Sequence, residues 1–202
     1  MAEDLFEQIQ SFLPKYLTPN EKRELFAELE KFPDNLNFYL LNPLVDLLQG
    51  DGWRGLVTIN FETLGKKAIS GGILSNSCDI DPKNPRALDT RVLFSPLIRL
   101  RGYTDRLKDA GKQGSQVASI LLDIRKQRVT NIFCLPSHSG VIEESIILLD
   151  DIHGHPLHDF LRQDRSRLFT LNQYAFYILL IKLSIHFSRF QEDVRRFAGD
   201  PT

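Results

Sequence analysis

The residues of this 202-residue chain best suited to chemistry gather in one short run, Ser75-Asn76-Ser77-Cys78-Asp79. An apolar approach, Gly71-Gly72-Ile73-Leu74, leads into it. A thiol beside a carboxylate is a candidate nucleophile if a base is held close in space. His138, in Pro136-Ser137-His138-Ser139-Gly140, is the candidate base, and Ser75, Asn76 and Asp79 complete the candidate catalytic set. The competing reading is a strand-end turn in which Ser77 and Asp79 bond backbone amides, and it is the preferred one.

Two further clusters could hold a metal. Cys134 and His138, joined by Cys78, would supply a Cys/Cys/His set, but structural zinc sites show paired short spacings and neither cysteine has a near cysteine neighbour. His153, His155 and His158 form the densest histidine cluster. Gly154 and Pro156 within it predict a solvated turn with Asp150, Asp151 and Asp159 as exposed neighbours. No metal and no cofactor is predicted.

Charge bounds the partners. The net charge is −1, which excludes a protein whose whole surface binds nucleic acid. Residues 1–50 hold nine acids and four Lys/Arg, a local −5, leaving +4 on the remainder. Residues 99–128 carry eight Lys/Arg against three Asp. Arg99, Arg101, Arg125, Lys126 and Arg128 are therefore the candidate nucleic-acid contacts, with Tyr103 as a neighbouring aromatic. Arg162, Arg165 and Arg167 before the last helix, and Arg189, Arg195 and Arg196 in its second half, could hold phosphates or simply suit a helix dipole.

These side chains need elements to position them. Residues 1–50 read as helical: Leu5, Phe6, Ile9, Phe12 and Leu13 recur at helical spacing, and Thr18-Pro19-Asn20-Glu21 is a helix start. Phe38 to Leu48 is read as a further short helix. From Trp53 the period becomes that of strands, over 53–61, 71–75 and 90–98. Val117, Ile120, Leu121 and Ile124 mark an amphipathic helix, and strands follow at 128–135 and 144–149. The last helix, 170–197, carries two apolar stripes. One is Leu171, Tyr174, Ile178, Ile181 and Ile185. The other is Phe176, Leu180, Leu183, Phe187, Phe190, Val194 and Phe197. Two stripes predict burial between layers, or an interface through Leu183, Phe187, Phe190 and Val194 with a second copy or a partner chain.

Residues 51–98, about a quarter of the chain, resemble the first half of the MazF/PemK-type toxin barrel, a small SH3-like fold. The resemblance rests on Asp51-Gly52-Trp53-Arg54-Gly55-Leu56-Val57-Thr58-Ile59, on Gly71-Gly72-Ile73-Leu74-Ser75-Asn76, and on Phe94-Ser95-Pro96-Leu97-Ile98. Ser75-Asn76-Ser77-Cys78-Asp79 is also similar to a variant in bacterial proteins linked to phage defence. The family's ribonucleases use an Arg in an Arg-Pro dipeptide opening the second strand, where this chain has Ser70-Gly71-Gly72. They use a Thr after the third strand, where Ile98 and Arg99 stand. The resemblance thus implies the fold without the ribonuclease chemistry.

The expected architecture is α+β. A helical segment (1–50) precedes a small SH3-like β-barrel with an inserted helix (51–169), and a long C-terminal helix (170–197) packs on the barrel or a partner. The expected function is a non-catalytic accessory or interaction module of a bacterial toxin–antitoxin or phage-defence system. The alternative is a divergent ribonuclease or cysteine-dependent toxin centred on Ser75–Asp79. Two cysteines in 202 residues are no disulfide framework. The acidic start MAEDLFEQIQ lacks the features of a signal peptide. The longest apolar run, Tyr174 to Ile181, is far short of the roughly 20 residues that span a bilayer. A soluble, cytoplasmic protein without a membrane partner is expected.

Overall fold

Alternating side chains from Gly52 onward build the first strand. The computed structural model describes residues 37–188 apart from positions 43, 85 and 163. In it β1 (Gly52–Ile59) pairs with β2 (Lys66–Ile73), which pairs with β3 (Arg91–Arg99). Helices α1 (Leu100–Asp109) and α2 (Gly114–Arg125) follow, separated at Gly111, whose φ is 79°. Then come β4 (Ile132–Leu135), β5 (Ser145–Leu148), β6 (His153–Pro156), α3 (Leu157–Arg162), β7 (Ser166–Phe169) and α4 (Gln173–Ser188). The expected α+β class is met. The seven strands form one antiparallel sheet in the order β4-β5-β3-β2-β1-β7, with β6 beside β3. No pairing joins β4 to β7 among the described residues, so the sheet is open.

β3 is the axis of the sheet. β6 pairs with its first half and β5 with its second, along the same edge. The jog between β5 and β6 falls opposite Ser95-Pro96. Pro96 has no amide to offer, and the buried Ser95 hydroxyl donates to the Leu148 carbonyl instead. On the other edge β2 stays paired only over Gly71–Ile73. Glycine inside an apolar strand predicts a close approach by another element, and both glycines of β2 meet one. A Cβ on Gly71 would lie 2.6 Å from the Ser95 carbonyl oxygen, and one on Gly72 would strike the Ile147 Cδ1 methyl.

Three apolar clusters hold the layers. The largest sets Phe133, Leu135, Leu149 and Phe169 of the sheet region against Ala175, Ile178 and Leu179 of α4, with Phe38 and Tyr39 plugged into it. A second gathers Leu56, Ile73, Val92 and Phe94 with Ile80 and Phe160. A third packs Ile124 of α2 on Ile132, Cys134 and Ile146. Burial of this kind is worth about 25 cal/mol per Å² of apolar surface.

Several expectations need correction. Of the expected N-terminal helical segment, positions 1–36 lie outside the described residues. The Phe38–Leu48 stretch is not a helix. The Asn37 side-chain oxygen accepts from the Tyr39 amide at 3.1 Å, and Tyr39 bridges to Leu171, so the chain enters extended. The histidine run is a strand and a short helix, not a solvated turn. His153 and His155 both stack on the Phe94 ring, with centroids 5.6 and 5.2 Å away. The buried positions of α4 are Ala175, Tyr177, Ile178, Leu179 and Lys182, a set that cuts across the two expected stripes. Phe176 and Leu183 are partly buried against the main cluster, whereas Phe187 is exposed. Phe190, Val194 and Phe197 lie outside the described residues.

Polar side chains finish two open strand edges. Edge strand β4 is closed by Gln127, whose amide donates to the Cys134 carbonyl (2.6 Å) and accepts from the Cys134 N–H (3.0 Å). Gln127 holds this position with φ at 56°, and Lys182 Nζ donates to the carbonyls of Gln127 (2.8 Å) and Val129 (2.7 Å). Gln127→Ala is expected to lower the unfolding free energy by about 1–3 kcal/mol, because two edge groups lose their partner. Gln127→Gly relieves the φ but also lacks the amide, so it should recover only part of that loss in urea titrations. Where β7 no longer covers β1, the Val57 amide donates to His155 Nε2 (3.0 Å) and Arg165 Nε donates to the Gly55 carbonyl (3.1 Å). That acceptor role needs a neutral imidazole, and burial, followed by the nearby Arg165 charge, holds the His155 pKa below its ordinary value.

Candidate functional site

The Ser75–Asp79 run is built into its own turn. Ser75 Oγ accepts the Leu93 amide (2.7 Å) and donates to the Arg91 carbonyl (3.3 Å), fastening the end of β2 to β3. Asn76 Oδ1 accepts the Cys78 amide (2.9 Å), and Ser77 Oγ accepts the Gln49 amide (2.9 Å). Asp79 forms an ion pair with Arg86. Cys78 is exposed and lines an apolar cleft with Trp53, Phe160 and Leu161, whereas His138 lines a different cavity. The candidate nucleophile and base therefore do not share a site.

The metal candidates separate too. Cys134 is buried in β4, and burial, with a smaller push from Glu144, raises its thiol to about 12. His153 Nε2 lies 2.9 Å from Asp151, and His158 Nε2 lies 3.4 Å from Asp159. No cluster of three ligating side chains occurs among the described residues.

The basic candidates are largely spoken for. Arg125 grips Glu144 through two hydrogen bonds of 2.7 and 2.8 Å, and Arg128 pairs with Asp123 at 3.3 Å. Arg99 lies 3.7 Å from Glu143 at an exposed site. Arg101 and Lys126 have no ion pair among the described residues. Arg167 is used internally: its Nε lies 3.1 Å from the fully buried Asp51, and its guanidinium covers the Trp53 ring.

What the fold does assemble is a polar cavity of about 830 Å³ over the middle of the sheet. Arg54 of β1, Ser70 of β2, and Leu97 and Arg99 of β3 form one wall. The opposite wall is the loop 137–143, pinned by the His138–Ile142 bridge and bringing His138, Ser139 and Glu143. Tyr39 supports this loop from below, with its hydroxyl donating to the Pro136 carbonyl (2.5 Å) and its ring 4.9 Å from that of His138. Arg54 is exposed and has no ion pair among the described residues. The cavity therefore presents the Arg54 guanidinium beside an Arg99–Glu143 ion pair, a setting in which Arg54 can meet a carboxylate or phosphate. Sequence reasoning missed Arg54. Regular alternation would put Arg54 on the face of the buried Leu56, two residues on; the bulge at Gly55 turns it to the opposite face, and no spacing in the sequence marks that.

The chain matches no family model and no curated protein. No helix among the described residues is long and apolar enough to cross a membrane.

Proposed function

We propose that the protein is a non-catalytic interaction module on an SH3-like scaffold of the MazF/PemK type, serving a bacterial toxin–antitoxin or phage-defence system. The observation that carries the reading is the engagement of Ser75, Asn76 and Ser77 with backbone groups: Ser75 holds β2 to β3, Asn76 closes the turn at Cys78, and Ser77 fastens Gln49 ahead of β1. The scaffold reading draws support from the order of β1, Gly-rich β2 and β3, and from the enclosed cluster of Leu56, Ile73, Val92 and Phe94. His155 reaching across to Val57 curls β6 toward β1. At the places where the family keeps its Arg and Thr, this chain has Ser70 and the pair Ile98-Arg99. Ser70 and Arg99 line the large cavity.

One observation favours a second reading. Arg54, Arg99 and His138 share that cavity, so a divergent ribonuclease would act there rather than at Cys78. Incubation of purified protein with single-stranded RNA decides between the two. Intact RNA is the expected result. Cleavage lost in His138→Ala and retained in Cys78→Ala would overturn the first reading in favour of the second.

A further inference from the structure

Beyond the pair Gly71–Pro96, β2 and β3 part company. β3 turns to follow β5, while β2 continues outward with β1 as a two-stranded ribbon. The strand alternation fixes which backbone groups face the gap. Ile73 bonds toward the β1 side through Asp51 and Gly50, and Leu74 bonds toward β3 through Leu93. Ala68 and Lys66, an even number of residues from Leu74, therefore turn their amides and carbonyls toward β3. On β3 the Leu93 carbonyl faces β2, whereas Arg99 at the strand end is the N-cap of α1 and its carbonyl turns into the helix. Pairing between β2 and β3 stops at Gly71–Ile73, and no backbone bond from Ala68 or Lys66 across the gap occurs among the described residues.

This gap contrasts with the rest of the sheet. The open edge of β4 is closed by Gln127, and that of β1 by His155 and Arg165. Exposed edges are ordinarily blunted in this way because they template strand addition. At the β2–β3 gap no side chain closes the backbone edge among the described residues, and the charges around its two mouths are mostly positive, with Glu143 beside Arg99 the exception in the first. One mouth is the cavity with Arg54 and Arg99. The other is a groove of about 660 Å³ lined by Lys67, Ile69, Pro96, Arg99 and Arg106, whose acid, Asp151, is already paired with His153.

We propose that this cleft is a docking site for an extended acidic peptide of a partner protein, which adds as a strand along β2. Main-chain bonds to Ala68 and Lys66 would give the affinity. Side chains alternating to the two mouths would place carboxylates near Arg54 and Arg99 on one face, and near Lys67 and Arg106 on the other. The free backbone edge favours a peptide over nucleic acid, which has no matching ladder of amides. The proposal deepens the reading of the protein as an interaction module and rests on it.

The test pans a displayed library of short random peptides against the full chain and synthesises the best-enriched sequence. Enrichment in Asp and Glu is expected, with slowed hydrogen exchange at the amides of Ala68 and Lys66 on binding. N-methylation of alternate peptide amides should weaken binding by about tenfold or more, and so should Lys67→Glu combined with Arg99→Glu. Unfolding midpoints of the double variant check that it is folded. No acidic enrichment, protection confined to other amides, or indifference to N-methylation would overturn the proposal. So would binding of oligouridylate in place of peptide. Cleavage of RNA would instead remove the underlying reading, so the two failures are distinct.

Discussion

Gly71→Val is expected to leave the protein without a stable fold, whereas Gly72→Val weakens it and is tolerated. Both glycines lie where β2 meets β3, yet their surroundings differ in kind. The new Cβ at position 71 would sit 2.6 Å from the Ser95 carbonyl oxygen and 2.8 Å from Leu56 Cδ1. That carbonyl belongs to the backbone of β3 and cannot retreat without breaking the Gly72–Ser95 pairing. At position 72 the obstacle is the terminal methyl of Ile147, which rotation can withdraw. Overpacking of the second kind costs about 1–3 kcal/mol. The first should exceed about 4 kcal/mol, a large share of the 5–15 kcal/mol typical of a folded domain. Urea titrations of both variants measure the difference, and equal losses would refute the distinction.

Arg167→Met is expected to cost about 3–5 kcal/mol at neutral pH, because it strands the carboxylate of Asp51 in the interior. Asp51 is fully buried, accepts the Leu48 amide at 3.1 Å and has Arg167 as its counter-ion. The Trp53 indole and the Thr170 hydroxyl lie near enough to favour the anion, though neither makes a well-aligned hydrogen bond. Burial is the largest influence and raises the Asp51 pKa above 3.8, while Arg167 pulls it back. A carboxyl with a raised folded pKa binds more protons when native than when unfolded. Its stability contribution is complete below the unfolded pKa and is lost as pH rises through the folded one. Removing Arg167 raises the folded pKa further and deepens that loss. The deficit of Arg167→Met should therefore be small near about pH 4 and grow toward neutrality. Asp51→Asn added to it should recover most of the difference. A deficit that ignores pH would mean that Arg167 acts by covering Trp53 and bonding the Val45 and Asp46 carbonyls instead.

Much of the sheet was legible because its signals are local. Apolar alternation marks β1 and β3, and glycine within an apolar run marks the tight crossing of β2 and β3. Val117 and Ile124, the ends of the stripe read as an amphipathic helix, are both buried on α2. β6 was illegible because His-Gly-His-Pro has no apolar alternation; pairing with β3 and stacking on Phe94 make it a strand. The start of β2 at Lys66-Lys67 was missed because the ribbon stands clear of the core and can carry charge on both faces. Phe38 and Tyr39 looked like the beginning of a helical stripe, but they are consecutive plugs for one cluster. The cavity around Arg54 depends on a loop some eighty positions away in sequence, a juxtaposition no spacing encodes. Lys182 defeated pattern reading for a related reason. Its place on the inner face of α4 is intelligible only once the two carbonyls it reaches are known.

That lysine ties events together in time as well as in space. Its ammonium holds the Gln127 and Val129 carbonyls, Gln127 in turn grips Cys134, and burial brings the Lys182 pKa down to about 8. A fluctuation that lifts α4 from the sheet withdraws the ammonium, loosens the turn at 127–129 and uncovers the rim of β4 in the same step. The helix and a strand some fifty positions earlier thus open as one cooperative unit, and their slowest-exchanging amides should report a shared opening free energy rather than two.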